Sequence, residues 1–236
     1  MSGIFAFDIE TSPLDDEEIE RIAPEFDPAS VKTGNLSDFK KINDKINLAR
    51  ESHLNGIKSK AALNAEYGKI LAIGMLRVHG KNSKLDTTPE ETLLHGKNEG
   101  DIIQNFWDEA DKMAMTGLLL VGHNIIGFDC PFLVRRSYCL GIKPPFSLMP
   151  QRGKYWGKPW FDTMGAWTLG GYQQMISLDR FSKHLGLDGK NGDGKHFATL
   201  YRENQEEALD YLSNDLKLTM GVAQKIIPLL SENFFQ

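Results

Sequence analysis

The chain has 236 residues, of which 41% are apolar and 25% are charged. With 27 Lys and Arg against 32 Asp and Glu, its formal net charge at pH 7 is -5. This composition excludes a wholly disordered chain and a collagen-like chain. The acidic total also argues against a protein that coats nucleic acid without specificity, because such binding is built from Lys and Arg. The length is typical of one large domain or of a domain with a substantial insertion.

Neither a membrane span nor a secretory signal is visible in the sequence. The longest apolar cluster, at residues 117–121, is far shorter than the roughly 20 residues that cross a bilayer. Residues 1–8 lack a basic region and reach Asp8 after a few apolar side chains. We therefore expect a cytoplasmic protein that does not contact membranes. Its two cysteines, Cys130 and Cys139, match neither a disulfide framework nor a zinc site and are interpreted as reduced core residues.

Five segments have the pattern of β-strands. The first two, residues 4–9 and 69–78, are apolar and rich in β-forming side chains. The polar residues 14–66 between them include helix-compatible stretches such as 38–54, which predicts a helical insertion between the first two strands. Shorter strands are predicted further along, at residues 84–88, 118–122 and 160–163.

Four helices are predicted after the second strand. Residues 101–113 show helical spacing of apolar side chains, and Pro131 occupies the first turn of a helix that reaches about residue 140. Two helices close the sequence, one at residues 178–185 and one from about residue 205 to about residue 228. The alternation of strands and helices predicts an α/β fold with a mixed sheet.

Asp8 and Glu10 form a pair of carboxylates on the first predicted strand. They alternate with Phe7 and Ile9, so both carboxylates lie on one face with Cα atoms roughly 6.6 Å apart. At an effective dielectric near 20, two like charges about 4 Å apart repel by roughly 4 kcal/mol. Protonation of one carboxyl group or a bound divalent cation relieves this repulsion. The pair is therefore a candidate metal site.

Three more residues have placements that suggest chemistry. Tyr211 and Asp215 are four residues apart on the last predicted helix, so they share one face about 6 Å apart along its axis. A core-edge tyrosine beside an exposed aspartate would show the same spacing. Asp129 follows a buried strand at the point where a helix begins, which is a common location for functional groups in α/β proteins.

Three short motifs thus follow one another along the chain: Phe-Asp-Ile-Glu-Thr at residues 7–11, Asn-x-x-x-Phe-Asp at residues 124–129 and Tyr-x-x-x-Asp at residues 211–215. In this order they resemble the three exonuclease motifs of the DEDD superfamily, tyrosine (DEDDy) branch. They are particularly similar to the motifs in the proofreading exonuclease domain of family B DNA polymerases. The chain resembles the predicted stand-alone exonucleases related to that domain. The resemblance spans residues 4 to about 225, and residues 14–66 have no counterpart in it.

The resemblance implies the RNase H-like fold, a five-stranded mixed sheet flanked by helices. We expect residues 1–236 to form a single exonuclease domain of this kind, with the insertion at residues 14–66 between its first two strands. The implied reaction is metal-dependent 3′–5′ hydrolysis of single-stranded or frayed DNA ends to nucleoside 5′-monophosphates.

The resemblance also implies a role for each matching residue. The implied ligands of two divalent ions, Mg²⁺ or Mn²⁺, are Asp8, Glu10, Asp129 and Asp215. Tyr211 is expected to orient the attacking water, since a tyrosine with an ordinary pKa near 10 is a poor base at neutral pH. The residues expected at the terminal nucleotide are Thr11, Asn124 and Phe128, the last mainly through packing.

Two alternatives to the DNA exonuclease stay open at this point. The first is a 3′–5′ exoribonuclease with the same four carboxylates, because nothing in the motifs distinguishes the 2′-hydroxyl. The second is a catalytically silent module that binds nucleic acid or a partner protein. The expected ligand in each nucleic-acid case is a single strand or a 3′ end, and the candidate protein partner of the enzyme is a replication or repair protein.

His123 and Asp162 are expected to be structural. A lone histidine at a strand end is more often a satisfied structural residue than a catalytic one, so we give His123 no catalytic role. Asp162 is expected either to cap the helix that follows it or to support the metal site, and the structural role is favoured.

Three segments combine basic residues with other nucleic-acid-binding features. Residues 189–195 match the first seven places of a phosphate-binding loop, but His196 replaces the hydroxyl residue that such a loop needs, and no strand precedes it. We expect a mobile loop whose lysines contact phosphates. Residues 152–160 mix bases with aromatics, and residues 40–69 are basic. Either segment fits a single-strand groove or an ordinary solvated surface.

Overall fold

A computed structural model describes residues 3–81, 84–85, 89–149, 156–157, 159–171, 173–189 and 197–230. By its internal contacts the chain divides into two compact units. The larger, called here the sheet unit, comprises residues 1–11 and 70–236. The smaller, called the insertion unit, comprises residues 12–69.

The sheet unit is built on a mixed sheet of five principal strands. In chain order these are β1 (Gly3–Pro13), β2 (Gly68–Lys81), β4 (Glu90–His95), β5 (Leu119–Gly122) and β7 (Trp160–Asp162). Two strands of two residues each, β3 (Lys84–Leu85) and β6 (Trp156–Gly157), pair with β2 and β7.

The strand pairing agrees with the predicted RNase H-like sheet. The principal strands lie in the order β4-β2-β1-β5-β7. Strand β1 is parallel to β5, and β5 is parallel to β7, whereas β2 and β4 are antiparallel. The predicted α/β fold with a five-stranded mixed sheet flanked by helices is therefore confirmed.

Helices lie on both faces of the sheet. Strand β1 packs against both layers because its successive apolar side chains point to opposite faces. Ile4 and Ala6 belong to a core cluster with Leu216 and Met220 of α8 (Gln205–Ile226). On the other face Phe7 meets Phe106 of α3 (Glu99–Met115), with ring centroids 5.1 Å apart. The remaining helices of this unit are α4 (Asp129–Cys139), α5 (Thr163–Thr168), α6 (Leu178–His184) and α7 (Phe197–Glu203).

Close packing of α8 on β2 requires a glycine. A Cβ atom at Gly74 would lie 2.6 Å from Cδ1 of Leu216 and 2.9 Å from Cγ of Leu212, which is shorter than normal van der Waals contact. The absence of a side chain at this point of β2 lets α8 lie directly against the strand. The position of α8 matters because this helix carries Tyr211 and Asp215.

A buried ion pair connects α3 to α4. The guanidinium of Arg136 donates to Glu99 from Nε at 2.9 Å and from Nη2 at 2.7 Å. The carboxylate of Glu99 also accepts from the backbone N–H of Ile70 at 2.8 Å. Because α4 begins at Asp129, this network fixes the helix that carries one of the predicted ligands.

The insertion unit is helical, as predicted. It contains α1 (Asp16–Ile22) and the longer α2 (Phe39–Lys58). Nζ of Lys58 lies 2.9 Å from Asp16 and 2.8 Å from Glu20, which ties the end of α2 to α1. None of the residues of α2 is fully buried.

The structure adds one principal strand and several short helices to those predicted. The strand predicted at residues 84–88 is present at Lys84–Leu85, and its remaining residues 86–88 lie outside the described part. The sheet also gains β4, which we did not predict because Glu90 and Glu91 break the apolar pattern. Charged residues are typical of such edge strands. Helices α1 and α7 were not predicted individually, and each has only seven residues. Helix α5, of six residues, was expected only as the helix that Asp162 caps.

Cys130 is buried and Cys139 is exposed, and both are free thiols. The interpretation of Cys139 as a core residue was therefore wrong, because it is the last residue of α4 and faces solvent. Among the described residues, no helix combines the length and the apolar character needed to span a membrane.

Candidate active site

Three carboxylates meet where β1 runs past α8. Asp8 and Glu10 continue the row of Ile4 and Ala6 on β1, so the alternation of the strand turns them toward the same face. Each of Asp8, Glu10 and Asp215 offers a ligand oxygen, and these oxygens lie within 4.8 Å of one another. The predicted association of motif one with motif three is thus present in the structure.

Helix α8 presents Asp215 and Tyr211 one turn apart. Asp215 is 2% exposed and Tyr211 is 8% exposed, so both side chains face inward. The alternative of an exposed aspartate at this position is wrong. The Tyr211 ring packs on Phe197 of α7, with centroids 6.4 Å apart, and shares a core cluster with Ala72 of β2. These contacts hold the ring against α7 and β2 on the inner side of α8.

Asp129 lies against the strand that carries the first motif. Its Oδ1 accepts a hydrogen bond of 3.2 Å from the backbone N–H of Ile9, which lies between Asp8 and Glu10. Asp129 is 3% exposed. Burial, and then the negative charge of Asp8, raise the pKa of the Asp129 carboxyl well above its ordinary value, against a smaller opposing effect of the Ile9 N–H. A cation beside this group would favour its ionised form.

A tight turn leads from β5 to Asp129 and carries Asn124. Asn124 has φ of 68°, a left-handed conformation that asparagine tolerates better than most residues. Its carbonyl accepts from the N–H groups of Gly127 at 3.1 Å and Phe128 at 2.9 Å. A Cβ atom at Gly127 would lie 2.4 Å from Oδ1 of Asn124, so the glycine leaves room for the amide side chain. Phe128 packs on Phe132, with ring centroids 5.5 Å apart.

Asp162 closes the same turn from the adjacent strand. This residue ends β7 directly beside Gly122, the last residue of β5, in parallel register. Its carboxylate caps α5 by accepting from the N–H groups of Met164 and Gly165. The predicted helix cap is therefore confirmed. The same carboxylate also accepts from backbone N–H groups of the turn before Asp129.

His123 has the structural environment that we expected. Its Nδ1 lies 2.8 Å from Oγ1 of Thr163, and its Nε2 lies 2.9 Å from the carbonyl of Ile176. The Thr163 hydroxyl in turn donates to the carbonyl of Gly122 at 3.1 Å. Both ring nitrogens are thus engaged in contacts that fix the end of β5.

Thr11 completes the predicted set. It follows Glu10 on β1 and is half-buried. Of the three segments proposed to contact nucleic acid, residues 152–155, 158 and 190–195 lie outside the described residues, whereas residues 40–69 are described and include most of α2. Contact of these segments with nucleic acid remains a prediction.

The donor set fits a hard divalent cation. The ligand oxygens of Asp8, Glu10 and Asp215 are close enough to share one ion, and carboxylate oxygens are the ligands that Mg²⁺ and Mn²⁺ prefer. Asp129 is not part of this group of three, but its charge interacts with that of Asp8. The residues present therefore suit divalent metal binding.

Two contributors to the site were not identified from the sequence. Phe197 holds Tyr211 in place, yet it follows a polar stretch and begins a helix of seven residues that showed no clear pattern. Gly74 permits the approach of α8, but a glycine inside a strand pattern does not reveal which helix will pack against it.

A structural comparison supports the fold. The chain is similar to the family B DNA polymerase from the hyperthermophilic archaeon Pyrobaculum calidifontis, with a TM-score of 0.57 and 16% sequence identity. The match covers 97% of this chain and 25% of the polymerase, so the chain spans about a quarter of that protein's length. No curated protein matches the sequence.

A family model describes more than half of the sequence. It matches residues 61–222, which include Asn124, Asp129, Tyr211 and Asp215, whereas Asp8 and Glu10 precede the matched segment. The chain belongs to the family described as predicted 3′–5′ exonucleases related to the exonuclease domain of PolB.

Proposed function

We propose that this protein is a metal-dependent 3′–5′ exonuclease that hydrolyses single-stranded or frayed DNA ends to nucleoside 5′-monophosphates. The observation that carries the proposal is the convergence of Asp8, Glu10 and Asp215, whose ligand oxygens lie within 4.8 Å of one another. Two of these residues come from a strand and the third from a helix about 200 positions away along the chain. Burying such a group of acids is costly without a cation to neutralise it.

The carboxylates divide into two overlapping ligand sets. Asp8, Glu10 and Asp215 would hold one divalent ion, and Asp8 together with Asp129 would hold a second. When bound, such ions supply Lewis-acid activation of water and neutralise the charge that develops on the leaving 3′ oxygen. The hydrogen bond from Ile9 to Asp129 keeps one carboxylate oxygen directed at the strand and so sets the orientation of the other.

Tyr211 would position the nucleophilic water. Its ring is fixed against Phe197, and its hydroxyl extends from the helical turn that precedes Asp215. The hydroxyl would act by hydrogen bonding to the water and not as a general base.

The terminal nucleotide would lie between β1 and the turn before α4. Thr11 offers a hydroxyl directly after Glu10, and Asn124 offers an amide whose position is fixed by the left-handed backbone. Phe128 supports this turn by packing on Phe132. A single strand is the expected ligand because the reacting phosphate must reach carboxylates of which Asp129 and Asp215 are buried and Asp8 and Glu10 are half-buried.

We also propose that residues 1–236 act as one RNase H-like domain interrupted by an insertion at residues 14–66. The compactness of residues 12–69 supports these boundaries. The family model begins at residue 61, so most of the insertion lies before the matched segment.

The test is product analysis on matched substrates. Single-stranded DNA and RNA of one sequence, labelled at the 5′ end, are incubated with Mn²⁺, Mg²⁺ or chelator, using wild type and Asp8→Asn. We expect a metal-dependent ladder from the 3′ end on DNA with wild type only. A ladder on RNA alone would establish an exoribonuclease instead. Binding to DNA without shortening, with either metal, would establish a binding module and refute the enzyme.

A further inference from the structure

Asp162 is a buried carboxylate that contacts more of the chain than a helix cap requires. It is 3% exposed and ends β7. Its Oδ1 accepts from the N–H groups of Met164 at 2.9 Å and Gly165 at 3.1 Å, and these two bonds complete the cap of α5.

Two further donors come from the turn between β5 and α4. The N–H of Asn124 donates to Oδ1 of Asp162 at 2.9 Å, and the N–H of Ile126 donates to Oδ2 at 3.0 Å. Four backbone N–H groups from two segments therefore converge on one carboxylate. Hydrogen bonds to an ionised acceptor are stronger than neutral ones, so this arrangement holds the two segments together firmly.

The turn held by Asp162 contains Asn124, the first residue of the second motif, and leads into Asp129, its last residue. Asn124 adopts φ of 68°, a conformation that the surrounding contacts must maintain. The carbonyl of Ile125 accepts from the N–H of Cys130 at 2.8 Å, so the turn continues without a break into the first turn of α4. Any shift of Asn124 or Ile126 is thus transmitted to Asp129.

We propose that Asp162 is a positioning residue that fixes the turn at residues 124–126, so that Asn124 and Asp129 meet the 3′ end and the metal site in one geometry. The inference rests on the proposed exonuclease function for its consequence on the rate. Its structural part, that the carboxylate of Asp162 holds this turn, stands independently of any activity.

Two substitutions distinguish the hydrogen bonds that Asp162 makes to the turn from those that cap α5. Serine and asparagine are both good N-cap residues, so Asp162→Ser and Asp162→Asn retain a cap for α5. The shorter serine cannot reach the turn. Asparagine keeps one carbonyl oxygen but presents an NH₂ group where the second carboxylate oxygen accepts from Ile126.

The direct test is amide hydrogen exchange on the full chain in chelator. In Asp162→Ser we expect the amides of Asn124 and Ile126 to exchange faster than in wild type, while the amide of Gly165 stays protected. In Asp162→Asn the change is expected mainly at Ile126. Unchanged protection of both turn amides would overturn the proposal, whether or not the protein is an enzyme.

The kinetic test uses single-stranded DNA with Mn²⁺. We expect kcat/KM to fall by about tenfold to a hundredfold in both variants, since a small misplacement of a catalytic group has effects of this size. The matched control is Asn98→Ala, which removes the cap of α3 by deleting the acceptor of Gly100 N–H. It should lower the melting temperature and leave kcat/KM near the wild-type value.

Three kinetic results would overturn the positioning role. The first is faster exchange of the turn amides with unchanged kcat/KM. The second is a loss of kcat/KM in Asn98→Ala as large as that in the Asp162 variants, which would attribute the effect to lost stability. The third is a loss of kcat/KM in Asp162→Asn that disappears when the assay is cooled well below the melting temperature of the variant, because such a loss would reflect partial unfolding. If wild type shows no hydrolysis, the proposed function fails while the exchange result still decides the role of the carboxylate.

Discussion

The backbone N–H of Ile9 donates to Oδ1 of Asp129 at 3.2 Å, which brings the acid of the second motif against the strand residue between the two acids of the first. This single bond spans 120 positions of sequence. It places Asp129 beside Asp8 without placing it in the group of three carboxylates that Asp215 completes. This geometry supports the proposal that two cation positions share Asp8.

The raised pKa of Asp129 predicts a pH-dependent stability of the metal-free protein. The folded state retains a proton that the unfolded state releases near an ordinary pKa of about 3.9. The stability contributed by this group is therefore complete below about pH 3.9 and is lost as the pH rises through the raised pKa, by about 1.4 kcal/mol for each unit of pKa difference. Thermal unfolding in chelator, measured from about pH 4 to about pH 8, checks this decline.

Asp129→Asn should remove that decline. The amide oxygen still accepts from Ile9, but no charge is buried, so the variant should melt at a higher temperature than wild type at neutral pH in chelator. Asp210→Asn is the matched control, because Asp210 is exposed on α8. A melting temperature of Asp129→Asn below that of wild type under these conditions would contradict the account.

Divalent metal should stabilise the folded protein through the carboxylate group. At about a hundred times Kd, one bound ion adds about 2.7 kcal/mol, which corresponds to a rise in Tm on the order of 5–10 °C for a chain of this size. Asp8→Asn should show little of this rise. In chelator the same variant should melt above wild type, since one of the three grouped carboxylate charges is gone. An equal Mn²⁺ response in both proteins would place the ion elsewhere.

Tyr211→Phe tests the proposed role of the hydroxyl. The ring keeps its contact with Phe197, so we expect an unchanged Tm and KM and a kcat lowered by about tenfold to a hundredfold. Tyr201→Phe is the matched control, because Tyr201 also stacks on Phe197 but its hydroxyl lies 3.1 Å from Nδ1 of His95. Equal losses in the two variants would show that packing, and not the Tyr211 hydroxyl, determines the rate.

Gly127→Ala should disturb substrate binding without unfolding the protein. The new Cβ would lie 2.4 Å from Oδ1 of Asn124, the mobile end of a side chain, so the amide group rotates away at little cost in stability. We expect KM for single-stranded DNA to rise by roughly threefold to tenfold, as for the loss of one hydrogen bond worth about 0.5–1.5 kcal/mol. Gly56→Ala is the control, since a Cβ there meets nothing within 4 Å. An unchanged KM would remove Asn124 from the substrate site.

The strand and helix patterns predicted the α/β fold class, and the resemblance carried by the motif order indicated four acidic residues, three of which the structure groups together. Asp8 and Glu10 share a face because a strand has a period of two, and Asp215 follows Tyr211 by one helical turn. Strand β4 was not predicted, because its two glutamates interrupt the apolar alternation by which a strand is recognised. The sequence left the role of Asp162 open, because the four N–H donors come from residues up to 38 positions away and only the fold brings them together.

The grouped carboxylates are proposed to hold the divalent metal that hydrolyses a 3′ end. The most direct measurement is the release of nucleoside 5′-monophosphate from single-stranded DNA in Mn²⁺, compared between wild type, Asp215→Asn and the exposed-site control Asp210→Asn. We expect stepwise release by wild type and the control, and a loss of at least about a hundredfold in Asp215→Asn. Release by Asp215→Asn at the wild-type rate, or no release by wild type, would contradict the account.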